Sequence, residues 1–376
     1  MIGPARRSNY TTKLFEINWL LVALISLIGL VGVAMIFAAT GGIWASGASQ
    51  HLLRLMLCSI FMLALALIDV KTWYSLAYPA YGVSLVLLIC VEFFGVSVNG
   101  SQRWLDLWLL QLQPSEIMKL SIVLAIARYF HDLPKWRVSN VSGLLGALVF
   151  IALPMALILR QPDLGTTLLV AATGVTIIFL AGVNWKVITS ALITGLIAVP
   201  LFFRFGLKEY QRARIRTFLD PTIDPTGASY HITQSKIALG SGGVSGKGFM
   251  NGTQRQLEYV PENRTDFIFT VIGEEFGLIG SLTTMGLYLA VIGLCAWLSF
   301  QCKHVFSRLL ILGVTTTFLL YIFINLAVVM GLVPVVGVPL PLISYGGTVI
   351  ITVMSGFGLI LSAHLHRKND LPKSHV

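Results

Sequence analysis

Ten stretches of this chain are apolar over about the length that crosses a bilayer, and nothing else in the sequence constrains the fold as strongly. They run near 17–39, 51–68, 74–94, 115–130, 143–160, 164–183, 187–203, 267–298, 308–331 and 346–364. A helix needs roughly 20 apolar residues to cross about 30 Å of hydrocarbon, where no water satisfies an open backbone. Of 376 residues, 56% are hydrophobic and 11% charged, against about 25% charged in soluble domains. Mean hydropathy is +0.83. The pattern predicts an all-α polytopic membrane protein, about ten transmembrane helices in a single integral membrane domain over 1–376.

The charge reads as topology. In a soluble chain the net +10 would raise nucleic-acid binding; in this one no nucleic-acid partner is read. With the N-terminus inside, the short inner loops and tails hold Arg6, Arg7, Lys13, Lys71, Lys135, Arg137, Lys186, Lys303, Arg308, Arg367, Lys368 and Lys373. The short outer loops are poor in such residues, so both termini are expected in the cytoplasm. Residues 204–266 then form one large extracytoplasmic loop between spans seven and eight, with nine Lys/Arg and six Asp/Glu. Loops beyond about 60 residues translocate regardless of charge, and charge that topology does not require marks a working region. The run Ile17 to Ala39 exceeds the roughly 7–15 residues of a signal-peptide core, so it is read as a membrane helix. The cysteines, Cys58, Cys90, Cys295 and Cys302, lack redox or zinc spacing and read as small packing residues.

Charges inside or beside the apolar runs are the functional candidates. Glu116 and Lys119, three apart in QPSEIMKL, share one helix face, as an ion pair tying a helix to the bundle or as the lining of a polar cavity. Arg103 in SQRWLDL and Asp163 in the turn RQPDLG lie at the same outer level. In YQRARIRTF, Arg212 and Arg216 share a face if helical; with Arg214 they form either an interfacial segment on anionic lipid or a phosphate clamp. GSGGVSGKGF fails as a phosphate-binding G-x-x-x-x-G-K-[ST] loop, because Ser241 stands where its first glycine should be and Gly248 follows Lys247. It reads as a flexible glycine-rich turn. In YVPENRTDFIFTVIGEEFG, Asp266 stands where the large loop meets span eight, as a helix cap or as a catalytic carboxylate. Glu274 and Glu275 lie about two turns deeper and point about 100° apart, toward a cavity or the bundle interior.

Six segments, NGSQRWLDL, QPSEIMKL, RQPDLGTT, DPTGASYHITQSKIALGSGG, YVPENRTDFIFTVIGEEFGLIG and VPVVGVPLPLISYGG, occur in that order from residue 99 to 347. Together they resemble the SEDS family (shape, elongation, division and sporulation) of bacterial cell-wall polymerases. QSKIALGSGGVSGKG resembles its elongation-type branch more than its division-type branch. The resemblance implies a peptidoglycan glycosyltransferase in the bacterial plasma (inner) membrane, acting in elongation and rod-shape maintenance. Such an enzyme polymerises lipid II into a β-1,4-linked glycan strand on the extracytoplasmic side and releases undecaprenyl pyrophosphate. It also implies a class B penicillin-binding transpeptidase as partner, and Asp266 as the catalytic residue.

The residue chemistry fits that expectation. A sugar hydroxyl needs a base within hydrogen-bond reach, and a pyrophosphate leaving group needs positive charge. Lys119, Arg212, Arg214, Arg216 and Lys236 supply cations; Glu116 positions Lys119. Arg103, Asp163, Gln234, Glu262, Ser344 and Tyr345 complete the expected substrate cavity, with Glu274 and Glu275 holding the bundle. No metal-ligand spacing appears, and a divalent cation (magnesium or manganese) bridging pyrophosphate and Asp266 stays open. Two other readings stay open: a lipid II flippase, which needs alternating access but no base, and a scaffold that only docks the transpeptidase.

Overall fold

The structure, a computed structural model, describes residues 10–98, 101–106, 111–138, 140–161, 163–184, 186, 189–190, 193, 209–220, 228–253 and 264–372. In chain order the helices are α1 (Tyr10–Phe15), α2 (Trp19–Ala39), α3 (Ala48–Leu67), α4 (Val70–Phe94), α5 (Pro114–Asp132), α6 (Val141–Arg160), α7 (Leu164–Leu180), α8 (Glu209–Leu219), α9 (Ala228–Ser241), α10 (Ile268–Phe300), α11 (Val305–Val329) and α12 (Gly347–Leu365). Between α4 and α5 lie β1 (Val96–Val98), β2 (Ser101–Asp106) and β3 (Gln111–Leu112), an antiparallel sheet in sequence order. The all-α expectation is amended to mostly helical by this sheet. Asn99-Gly100 separates β1 from β2 in sequence, the pair most favoured in two-residue hairpins.

Among the described residues, seven helices are long and apolar enough to cross a membrane: α2, α3, α4, α6, α10, α11 and α12. Helix α7 is apolar but shorter, and α5 carries Glu116, Lys119, Arg128 and Asp132. The expected seventh span, 187–203, falls almost wholly outside the described residues. The chain is thus a mostly helical, multi-pass membrane protein. Helices α5, α11 and α12 are the inner ones: 83% of the apolar stretch of α12 is buried against 28% of that of α3. Leu53, Met56, Leu57, Ile60 and Phe61 of α3 stay exposed, as a helix facing lipid on one side requires.

Helix α10 is broken. Gly277 has φ 64° and ψ −154° inside its 33 residues. A break orphans carbonyls before it and N–H groups after it, a heavy penalty away from water. The glycine-rich segment after α9 satisfies both sets. The N–H groups of Lys247 and Gly248 donate to the carbonyls of Glu274 (3.0 Å) and Glu275 (2.9 Å). Those of Leu278 and Ile279 donate to the carbonyls of Gly243 (3.0 Å) and Val244 (3.1 Å). A Cβ on Gly246 would overlap the Glu275 carbonyl, and one on Gly242 the Gly273 carbonyl. The glycines therefore permit backbone-to-backbone contact, and the expected flexible turn is a docked plug.

Candidate active site

Asp266 lies in the turn that opens α10. Its capping role is not the one observed: the helix begins at Ile268 with Phe267 as N-cap. The turn is pinned from behind by α11 and by the loop before α12. Asn325, fully buried, donates from Nδ2 to the carbonyls of Asp266 and Val338, both at 2.8 Å. The Ser344 hydroxyl donates to the Thr265 carbonyl at 2.6 Å, and the Tyr345 N–H to the Arg264 carbonyl at 2.8 Å. The half-buried Asp266 carboxylate faces Gly337, where a Cβ would stand 3.8 Å from Oδ2.

The loop from Val333 to Gly346 has little helical structure yet is deeply buried at Leu340, Leu342 and Ile343. Non-helical backbone is tolerated at such depth only where the protein satisfies it. Tyr288 donates to the Pro341 carbonyl (2.6 Å), a His51 ring nitrogen to that of Leu342 (3.1 Å), and the Leu340 N–H to Ser344 Oγ (2.8 Å). Leu342 takes φ 65°, a left-handed conformation that side chains avoid; these contacts hold it.

Glu116 and Lys119 pair at 2.5 Å with both side chains buried. Tyr321 of α11 completes the group: its hydroxyl donates to Glu116 Oε2 at 2.5 Å and accepts from the Lys119 ammonium, which also lies 4.4 Å from the ring centroid. Tyr321 and Asn325 are four residues apart on one face of α11. The Glu116–Lys119 pair is thus one helical turn below the anchor of Asp266. Tyr321 also borders a small pocket lined otherwise by apolar residues and by Thr317 and Thr352. Glu116 and Lys119 thus form an ion pair that ties α5 to α11.

Asp163 caps α7, accepting from the Thr166 N–H (3.1 Å) and hydroxyl (2.8 Å), with Arg103 of β2 at 3.6 Å. Gly165, two residues on, abuts the Val336 carbonyl beside Gly337, so this group and Asp266 meet at the same end of the bundle. Lys236 is exposed and lies over Gly331 at the C-terminal end of α11, where a cation complements the helix dipole. Its neighbour Ser235 donates to the Val329 carbonyl at 2.7 Å, docking α9 there; Gln234 is half-buried on the same helix. Arg212 is half-buried and Arg216 exposed on α8. Arg214 belongs to that helix, with its side chain outside the described residues, as is Glu262 altogether. Among the described residues no group of three or more His, Cys, Asp or Glu comes together to hold a metal.

The sequence reading missed three residues here. Asn325 is a lone polar residue in an apolar run, a signal that was available. His231 sits against Phe267, ring centroids 6.3 Å apart. Lys247 bridges to Glu274 at 2.7 Å, with Thr253 donating to the same oxygen at 3.1 Å.

Comparison with known proteins agrees with this architecture. Residues 12–369 match the family model FTSW_RODA_SPOVE, described as "Cell cycle protein". The Escherichia coli K12 protein named peptidoglycan glycosyltransferase MrdB is 43% identical over 310 residues, 82% of this chain and 83% of its own. A probable peptidoglycan glycosyltransferase FtsW of Trichlorobacter lovleyi is 33% identical over 361 residues, 93% of each chain. Among solved structures, a chain from a peptidoglycan synthase complex, described in terms of structural coordination of polymerization and crosslinking, superposes with TM-score 0.79 at 29% identity, over 94% of this chain and 99% of that one. The rod shape determining protein RodA of Thermus thermophilus gives TM-score 0.71 at 27% identity, over 94% and 98%.

Proposed function

This chain belongs to the FtsW/RodA/SpoVE family of cell cycle proteins, and from that premise we infer that it is a peptidoglycan glycosyltransferase of the elongation type. The greater identity to MrdB than to FtsW supports the branch. Lipid II is the substrate, the growing glycan strand the product, and undecaprenyl pyrophosphate the leaving group. A lipid-linked donor cannot leave the bilayer, which is why a polymerase for it is built inside one. The partner is a class B penicillin-binding transpeptidase, in keeping with a structural relative drawn from a peptidoglycan synthase complex.

Asp266 acts as general base. It takes the proton of the acceptor 4-hydroxyl while that oxygen attacks the donor anomeric carbon; the pyrophosphate oxygen departs with the bonding pair, and the configuration inverts. The observation that carries this role is the pinned turn. Asn325, Ser344 and Tyr345 fix the backbone at Asp266, Thr265 and Arg264 and leave the half-buried carboxylate over a glycine. Positioning of that kind is what a base needs. Arg212, Arg214 and Arg216 are the cations assigned to the pyrophosphate, since guanidinium binds phosphate through paired hydrogen bonds. Lys119 serves the site through its bonds to Glu116 and Tyr321. Arg103 and Asp163 frame the cavity beside Gly165, and Gln234 and Lys236 line its loop side; Glu262 is assigned to the substrate. The topology that suits this chemistry has ten spans in one membrane domain, both termini in the cytoplasm of the inner membrane, and 204–266 outside with Asp266.

The test is glycan polymerisation from labelled lipid II by the purified protein with its transpeptidase partner, wild type against Asp266→Asn. Loss of a general base slows a reaction about 10²–10⁴-fold. Polymer at the wild-type rate would remove Asp266 from the chemistry and bring the flippase and scaffold readings forward.

A further inference from the structure

Arg54 has no part in the reading above. It is the seventh residue of α3, a candidate membrane span, roughly 9 Å along the helix from its start. It is half-buried, and no ion pair joins it to a carboxylate among the described residues. Ionisable side chains at such positions are expensive, and they mark function by default. The guanidinium of Arg54 lies over the ring of Tyr345, 4.8 Å from its centroid. One turn earlier on α3, Gln50 Oε1 accepts the Tyr345 hydroxyl at 2.5 Å. Gly47, just before α3, faces the same ring: a Cβ there would stand 3.8 Å from its Cε2.

Tyr345 is therefore gripped on face, edge and hydroxyl by the start of α3. Its own N–H holds the Arg264 carbonyl, two residues before Asp266. We propose that Arg54 and Gln50 are positioning residues for Asp266, acting through Tyr345. Neither touches Asp266. They fix the ring, the ring fixes the backbone of the turn before α12, and that turn fixes residues 264–266. The inference rests on Asp266 being the base. An ångström of slack at a reacting group can lower a rate about 10²-fold, so a loosened clamp acts on kcat and leaves lipid II binding alone.

The experiment uses the full-length protein with its transpeptidase partner, and measures kcat and KM for lipid II polymerisation. Arg54→Ala is expected to lower kcat about tenfold with KM changed less than about twofold, while Arg54→Lys, which keeps a cation over the ring, recovers most of the rate. Tyr345→Leu is expected to lower kcat similarly, and in its background Arg54→Ala adds nothing, as two parts of one clamp must behave. A wild-type rate for Arg54→Ala overturns the proposal. So does a rise in KM alone, the mark of direct substrate contact, or an undiminished Arg54 effect in Tyr345→Leu. Melting temperatures identify variants lost to misfolding, for which Gln50→Leu supplies a second test with the same kcat signature expected; an unchanged kcat there also overturns the proposal. Asp266→Asn in the same assay separates the failures. An active Asp266→Asn sinks the base assignment, whereas an inactive Asp266→Asn beside a normal Arg54→Ala sinks the clamp alone.

Discussion

Among the described residues, two lysine–glutamate pairs lie inside the bundle, and they are built differently. Glu116 and Lys119 sit three residues apart on one unbroken helix, with side chains 6% and 1% exposed and a third partner, Tyr321, from α11. Lys247 and Glu274 are 27 residues apart and meet only because a glycine-rich plug enters a broken helix; the lysine is 25% exposed and the carboxylate 2%. The first pair joins two finished helices. The second closes a joint where the helical pattern itself has failed, and its hydrogen bonds accompany four between backbones. A buried charge therefore says little until its neighbours are known: one pair supports packing, the other supports backbone satisfaction.

The most severe way to break the comparison is Lys119→Met. Removing one member of a buried pair leaves an uncompensated charge, at about 3–5 kcal/mol. The melting temperature in detergent should collapse, and Glu116→Gln added to Lys119→Met should restore more than half of the loss. No restoration would mean that the pair is not the unit described. Next is Gly246→Ala, at φ 80° against the Glu275 carbonyl. Left-handed strain and two broken backbone bonds amount to about 2–4 kcal/mol. Gly243→Ala, at φ 56° with open space around it, should lose only the conformational part, about 1–2 kcal/mol. Equal losses at the two glycines would refute the plug.

Lys247→Met should destabilise less than Lys119→Met, by about 1–2 kcal/mol, because the lysine is partly solvated and Thr253 still serves Glu274. A loss as large as at Lys119 would erase the distinction between the pairs. The smallest effect is at the opposite end of the bundle, where a third lysine meets a titratable ring. Lys13 Nζ donates to His366 Nε2 at 3.0 Å, while Nδ1 donates to the Ser362 carbonyl. Burial holds this imidazole below its usual pKa of 6.5, with the Lys13 charge adding to the effect against the opposing pull of Ser362, Asp69 and Glu16. The unfolded chain takes up the proton first, so this contribution is present above about pH 6.5 and is lost progressively as pH falls from there through the lower folded value. Between pH 7.5 and 5.5 wild type should lose about 1–2 °C more melting temperature than His366→Gln.

Periodicity made part of this legible. Glu116–Lys119 followed from a spacing of three, and nine of the ten apolar runs coincide with described helices because bilayer length is written in composition. The break at Gly277 was not legible. Its glycine sits in an ordinary apolar pattern, and the compensation comes from residues 243–248, which read alone as a loop. Asp266 was found by its place in a motif, but its anchors were not. Asn325 and the Ser344 hydroxyl act across 59 and 79 residues of sequence, and no local pattern encodes such a contact. The Arg54–Tyr345 contact escaped for the same reason.

That separation also sets a timetable. The turn bearing Asp266 leaves the ribosome before Asn325, Ser344 and Tyr345 exist. At about 5–20 residues per second, the 79 residues between Thr265 and Ser344 take roughly 4–16 s to synthesise. Until α12 is delivered to the bilayer the carboxylate has a helix behind it but no fixed aim. With Asp266 as the proposed base, the polymerase is assembled in an inert order, and a nascent chain stalled before its last span would sit in the membrane with that carboxylate unfixed.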